Sequence, residues 1–322
     1  MSAPQPAAAT ARWASRQERS NMLALRLMRM LALGLGRRAA RLLLHPIALD
    51  FLVAGGDVRR HSRRYLGRAL GRPAGWGDVY RHLFAFASTV LDRVYLLRER
   101  FDEFRVEASG VETIMRPFAA GEGVLAVGAH IGSFEALRMI GHDKGLKIAM
   151  IMYEDNARLI NQALAAIAPQ ASLVTIPLGR VDAMLTLRRW LDDGGVAGML
   201  GDRTLPGAAG QRSKTIALSF LGAPAAFADG PFRLAAMLRR KVVFMAGLYR
   251  GGCDYELRFA ELADFSGLGQ ASGAERDAAV RAALERYVAT LETLCREAPY
   301  NWFNFFDYWA DDDAATPAPA AA

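Results

Sequence analysis

From Val124 onward the chain alternates short apolar runs with segments whose apolar positions recur every three or four residues. The runs are "VLAVGAH", "LKIAMIMY", "SLVTIPL", "GVAGMLG" and "KVVFMAGLY". The first four recur about every 24 residues, the cadence of strand–helix units. Between them the pattern predicts helices over 156–168, 181–192 and 231–239. A long helix follows over 274–296, where Val280, Ala283, Leu284, Tyr287, Val288, Leu291 and Leu294 keep a helical period. The expected fold is α/β: a mostly parallel central sheet flanked by helices, after an all-helical N-terminal third. No internal repeat is apparent.

That N-terminal third has a different texture. "NMLALRLMRMLALGLGRRAARLLLHPIALDFLVAG" is apolar but interrupted by Arg26, Arg29, Arg37, Arg38 and Arg41. A spanning helix wants ~20 apolar residues with few charges, and no such run exists. An interfacial helix with an apolar face and arginines opposite fits better; a solvated basic helix packed on the domain is the alternative. Residues 1–72 hold fourteen Arg, no Lys and three acids, net +11. The whole chain is +7, so the remainder carries −4 and the basic character belongs to one end. A signal-peptide pattern is lacking, because no small-residue cleavage site follows the apolar stretch. Residues 1–19 and 311–322 read as loose tails.

Several chemistries drop out. Cys253 and Cys295 form no CxxC pair, and no metal-ligand cluster is visible, so neither a metal nor a cofactor is expected. No Gly-x-Ser-x-Gly elbow exists for a hydrolase. "GEGVLAVG" puts its glycines before a strand, and "GLGQASG" has no strand ahead of it, so no nucleotide fingerprint is present. Without aromatic interleaving or a binding module, nucleic acid is not an expected partner.

In α/β sheets, sites form at the carboxyl ends of strands. His130 stands there, in "VGAHIGSFEALR". His45, His61, His82 and His142 read as surface or packing residues, which leaves His130 as the candidate base. Glu135 follows five residues later. On one continuous helix their side chains would diverge by about 140°; a strand-to-helix turn could bring them together. A carboxylate beside an imidazole fixes its tautomer and stabilises the imidazolium, as a base deprotonating a hydroxyl requires. Equally, Glu135 could pair with Arg138 at i,i+3 while His130 caps a turn.

"HIGSFE" resembles the His-x4-Asp/Glu motif of glycerolipid and lysophospholipid acyltransferases, and the wider context resembles the branch typified by lipid A late acyltransferases. "GDRTLPG", "LSFLGAPAAFADGPFRLAAMLRRKVVF" and "REAPYNWFNFFDYW" match that branch in order and spacing. The likeness covers roughly residues 20–310. It implies a helical, membrane-associating region over 20–110 and an acyltransferase α/β domain over 111–310. It further implies transfer of an acyl group from an acyl-carrier-protein or CoA thioester to a hydroxyl or amine of a lipid-like acceptor. In that reaction His130 would take the acceptor's proton and Glu135 would orient His130. The acyl thioester would be a co-substrate, and the enzyme would work at an anionic surface, the cytoplasmic face of a bacterial inner membrane.

Two departures stand out. The family supplies an oxyanion-binding arginine in the next βα block, but here "IMYEDNARL" puts Met152, Tyr153 and Glu154 in that neighbourhood. Arg203 and Arg158 are the substitutes, and backbone amides around Gly132 and Ser133 are another source. Asp202, Tyr153 and Asn156 complete the candidate oxyanion or substrate set; Asp202–Arg203 reads equally as an ion pair at a strand end. The aromatic ending lacks the family's His and Arg, which points to a different acceptor, such as an aryl-polyene-like or amino-acid-containing lipid. Most of its rings are expected to plug the core. A non-catalytic lipid-binding protein on a decayed acyltransferase fold is the competing reading.

Overall fold

The computed structural model describes residues 30, 32–153, 174–178, 181–203 and 215–309. The helix expected over 156–168, both tails and "TLPG" therefore lie outside the described residues.

The first described helix, α1 (Ala32–Ala54), bends by 93° into α2 (Gly56–Leu70). No single described helix is long and apolar enough to cross a bilayer. Helix α3 (Trp76–Leu96) follows, its start fixed where Asp78 accepts from the Gly75 amide at 2.9 Å. Then come β1 (Arg105–Ser109), α4 (Glu112–Ala119), β2 (Val124–Gly128), α5 (Leu137–Lys144), β3 (Ile148–Tyr153), β4 (Val174–Leu178), α6 (Val181–Asp192) and β5 (Val196–Leu200). A hairpin, β6 (Thr215–Phe220) with β7 (Ala223–Ala228), leads into α7 (Gly230–Leu238), β8 (Lys241–Gly251), β9 (Asp254–Asp264) and α8 (Gly273–Glu297). The start of α8 is a capping box: Ser272 and Glu275 each accept the other's backbone N–H.

Seven strands form one sheet in the order β1-β9-β8-β2-β5-β3-β4, parallel at every junction except β8–β9. This is the mostly parallel, helix-flanked α/β sheet that the apolar cadence predicts. The alternation of side chains along β2 explains the two layers. Leu125 and Val127 face one core with Phe232, Phe244, Tyr287 and Leu291. Val124 and Ala126 face another with Leu91, Val94, Ala136 and Leu137. Helix α3 contributes to both, so the helical third shares the core of the sheet.

Helix α1 turns two of its arginines toward the fold. Arg37 points inward to a buried, bidentate pair with Asp92 (2.7 and 2.8 Å), and Arg41 reaches the Tyr249 hydroxyl. What α1 leaves exposed is mainly apolar: Leu35, Leu42, Ile47, Leu49, Phe51 and Val53.

Candidate active site

Register decides which residues meet. Strands β2 and β5 pair in parallel, with Gly128 opposite Leu200. Two residues further along each strand, His130 and Asp202 emerge side by side on the same face. The backbone is bound tightly here: the Gly128 carbonyl accepts from the Gly201 amide and from the Tyr287 hydroxyl, each at 2.9 Å.

The His130 imidazole donates from Nδ1 to Asp202 Oδ1 at 2.8 Å, and the His130 amide donates to Oδ2 at 2.9 Å. Oδ2 also accepts from the Trp302 indole N–H at 2.9 Å. Asp202 is buried to 2 % exposure. Burial alone would raise its carboxyl; the charge and hydrogen bonds of His130, with the indole, outweigh that and hold it below the ordinary carboxylate value. Because an ionised carboxylate only accepts, Nδ1 carries the proton. In the neutral imidazole Nε2 is then the acceptor, on a side chain that is 30 % exposed.

Glu135 lies elsewhere. Helix α5 starts only at Leu137, so Glu135 sits in the preceding turn. Its carboxylate pairs with Arg93 at 2.7 Å and accepts from the Ser133 hydroxyl at 3.2 Å. The carboxylate on the imidazole is therefore that of Asp202, 72 residues away, rather than Glu135 in the motif. Nor does Glu135 pair with Arg138, whose guanidinium reaches Glu99 at 3.4 Å.

The amides of Gly132 and Ser133 do not await an oxyanion. Gly132 N–H donates to the Asn301 carbonyl at 2.8 Å, and Ser133 N–H to the Gly247 carbonyl at 2.7 Å. Gly132 has φ +64° and lies so close to β8 that a Cβ would sit 1.9 Å from the Gly247 oxygen.

Arg203 turns away from Asp202. It donates to the Phe303 carbonyl at 3.2 Å, and its guanidinium lies 5.3 Å from the Phe306 ring centroid. Its Nε is buried with no hydrogen-bond partner. Burial lowers its affinity for the proton, against the opposing pull of Asp202 and Tyr308. Asp202–Arg203 is thus no ion pair among the described residues. Tyr153 ends β3; its side chain, Asn156 and Arg158 lie outside the described residues.

The segment after α8 completes the site. Trp302 is fully buried against Tyr65, Phe220 and Tyr308. Its carbonyl accepts from His82 Nε2 at 2.9 Å, while His82 Nδ1 accepts from the Ser62 hydroxyl at 2.8 Å. Phe303 N–H donates to the His130 carbonyl at 2.7 Å. Trp302 is the residue at this candidate site that sequence reasoning missed; it reads there as one more ring of a core plug.

Under the loop lies an apolar cavity of about 30 Å³, lined by Phe134, Leu137, Ile148, Gly198 and Met245 among others. Gly198 leaves room there: a Cβ would lie 2.8 Å from the Met245 methyl.

Residues 83–310 match the family model described as bacterial lipid A biosynthesis acyltransferase. No curated protein sequence matches the chain.

Proposed function

Because the chain belongs to the bacterial lipid A biosynthesis acyltransferase family, and is thereby an acyltransferase acting on lipid-like substrates, we propose that it moves a fatty acyl group from a carrier-protein or CoA thioester to a hydroxyl or amine of such a lipid, with His130 as general base. The observation that carries this reading is the 2.8 Å bond from Nδ1 to Asp202, which leaves Nε2 as a half-exposed acceptor. Nε2 takes the proton from the acceptor's O–H or N–H as that atom attacks the thioester carbonyl. The tetrahedral intermediate collapses with loss of thiolate, and the imidazolium returns its proton to the sulfur. The products are an ester or amide and a free thiol. Asp202 holds the ring tautomer and offsets the imidazolium charge. For the oxyanion, Arg203 is the donor with unused capacity, since the amides of Gly132 and Ser133 are already bonded. The acyl chain would pack toward the cavity beside Phe134 and Met245, which must widen to admit it.

Attachment to the cytoplasmic face of the inner membrane is part of the proposal. The exposed apolar row of α1 would lie in the interface, with a half-buried Arg41 and Arg38 at headgroup level. Thioester donors are cytoplasmic and the acceptor is a lipid, so the two meet at that surface.

The test is mass spectrometry of lipids from cells with and without the protein and with His130→Ala. We expect a lipid heavier by one acyl group only with the native chain, and a loss of ~10²–10⁴-fold in rate for a still-folded His130→Ala. No heavier species, or more than about a tenth of the activity left in that variant, overturns the reading in favour of a non-catalytic lipid-binding protein.

A further inference from the structure

We infer that Arg38, Arg41 and His45 form a binding site for the phosphomonoester of a membrane-borne lipid, at the same end of the sheet as His130. They line an open groove of about 310 Å³ between α1, α3 and the β8–β9 turn. The inference rests on the reading above only in taking lipids as the substrates presented at this surface.

Charge in the groove is unbalanced in a specific way. Arg37 is neutralised by Asp92. Arg41 bonds only neutral oxygens, the Tyr249 hydroxyl at 2.7 Å and the Gly252 carbonyl at 2.6 Å, both through Nη1. Its remaining N–H donors are unused by these bonds. Arg38 is exposed and pairs with no carboxylate among the described residues. The nearest acid of the turn, Asp254, is taken by Arg105. His45 lies over Phe84 at 4.6 Å between ring centroids and spends Nδ1 on the Tyr80 hydroxyl, so Nε2 remains. Arg41 feels Asp92 only at a distance, that carboxylate being bonded by Arg37, and Arg38 has no carboxylate partner among the described residues; two guanidinium groups so placed beside an imidazole suit a phosphomonoester, which carries about −1.5 to −2 charge near neutral pH.

The groove is held in register with the chemistry. Tyr249, which anchors Arg41, is clasped by Asn301: the Tyr249 amide donates to Asn301 Oδ1 at 2.7 Å, and Asn301 Nδ2 donates to the Tyr249 carbonyl at 3.1 Å. The Asn301 carbonyl accepts from Gly132, in the loop that carries His130. One residue thus links both sites. The exposed Leu42 on the groove's wall gives a lipid's apolar part somewhere to lie.

The experiment is flotation of the full chain with vesicles of phosphatidylcholine containing phosphatidate or phosphatidylglycerol at matched surface charge. Native protein, Arg38→Gln, His45→Gln and His130→Ala are compared. We expect native protein and His130→Ala to prefer phosphatidate by about five- to tenfold, and Arg38→Gln and His45→Gln to lose that preference while binding phosphatidylglycerol within about twofold of native. Arg38 and His45 are exposed, so folding is not at stake, and far-ultraviolet circular dichroism checks it. Equal loss on both vesicle types would make the arginines a generic basic surface and overturn the site, as would an unchanged preference in both variants. Absence of any preference for phosphatidate in native protein that still binds inorganic phosphate would assign the groove to free phosphate instead of a lipid. Because His130→Ala keeps the groove, absence of acyl transfer and absence of phosphate binding are separately visible.

Discussion

His130 and His82 are joined through one residue, Trp302, and yet occupy opposite chemical situations. The Trp302 indole holds the carboxylate that holds His130; the Trp302 carbonyl accepts from His82. His130 stands at the open end of two strands with one nitrogen fixed by an ionised partner and the other facing out. His82 has no exposure, lies among Tyr65, Phe303 and Phe305, and bonds only neutral groups, Ser62 and a carbonyl. Burial therefore pushes its pKa down to about 4, against a small opposing effect of the carbonyl. The same side chain becomes a candidate base in one place and a neutral strut in the other. The difference lies in whether a carboxylate compensates the imidazolium and whether water reaches the ring.

That contrast breaks most sharply at Asp202. Asp202→Asn keeps the volume and removes the charge, so the favoured tautomer of His130 is no longer held; kcat should fall by ~10²–10⁴ with the fold intact. Full activity in a steady-state acyl-transfer assay would return the orienting role to Glu135.

At His82 the readout is pH. The native state refuses a proton that the unfolded chain takes up below about 6.5, so unfolded chains bind more protons between pH 6.5 and 4. Stability is whole above 6.5 and declines as pH falls through that window, by about 2 kcal/mol at pH 5. Urea unfolding at pH 7 and pH 5 measures this. His82→Phe, less stable throughout, should lose that part of the slope.

Trp302→Phe sharpens the link between the two. It removes the indole donor from Asp202 while keeping a ring. If ~1.4 kcal/mol of that bond serves to position the carboxylate, kcat drops about tenfold with KM little changed. A loss of stability with kcat unaltered would leave Trp302 a packing residue.

The smallest effect is expected at Glu135. Its partner Arg93 is half-buried and the pair sits at the edge of the surface, where such pairs contribute toward the upper end of about 0–1 kcal/mol. Glu135→Gln should alter kcat by less than about fivefold and the unfolding midpoint only slightly.

The apolar runs made β2, β3, β5 and β8 legible, because strands buried on both faces need continuous hydrophobic sequence. The helices at 181–192 and 274–296 were legible from their period. Strand β9, "DYELRFAELAD", was not, since its alternating charges belong to an antiparallel strand beside the exposed edge strand β1. His130 was legible from its place at a strand end. Its carboxylate was not, because spacing along the chain favours Glu135, while the contact with Asp202 depends on β2 and β5 being neighbours in the sheet. Trp302 lies 100 residues from Asp202, and no local pattern distinguishes it from the rings around it.

The contact between Gly132 and Gly247 carries a consequence for how this chain can vary. A Cβ on Gly132 would meet the Gly247 oxygen at 1.9 Å, and one on Gly247 would meet the Ser133 oxygen at 2.3 Å. Main chain rests on main chain from both sides, with no side chain between to trim. Enlarging either residue cannot be compensated by shrinking the other, since neither has anything left to lose. Two positions 115 residues apart are therefore inherited as a unit, and the height of the imidazole above β8 is set by a gap that mutation can only close.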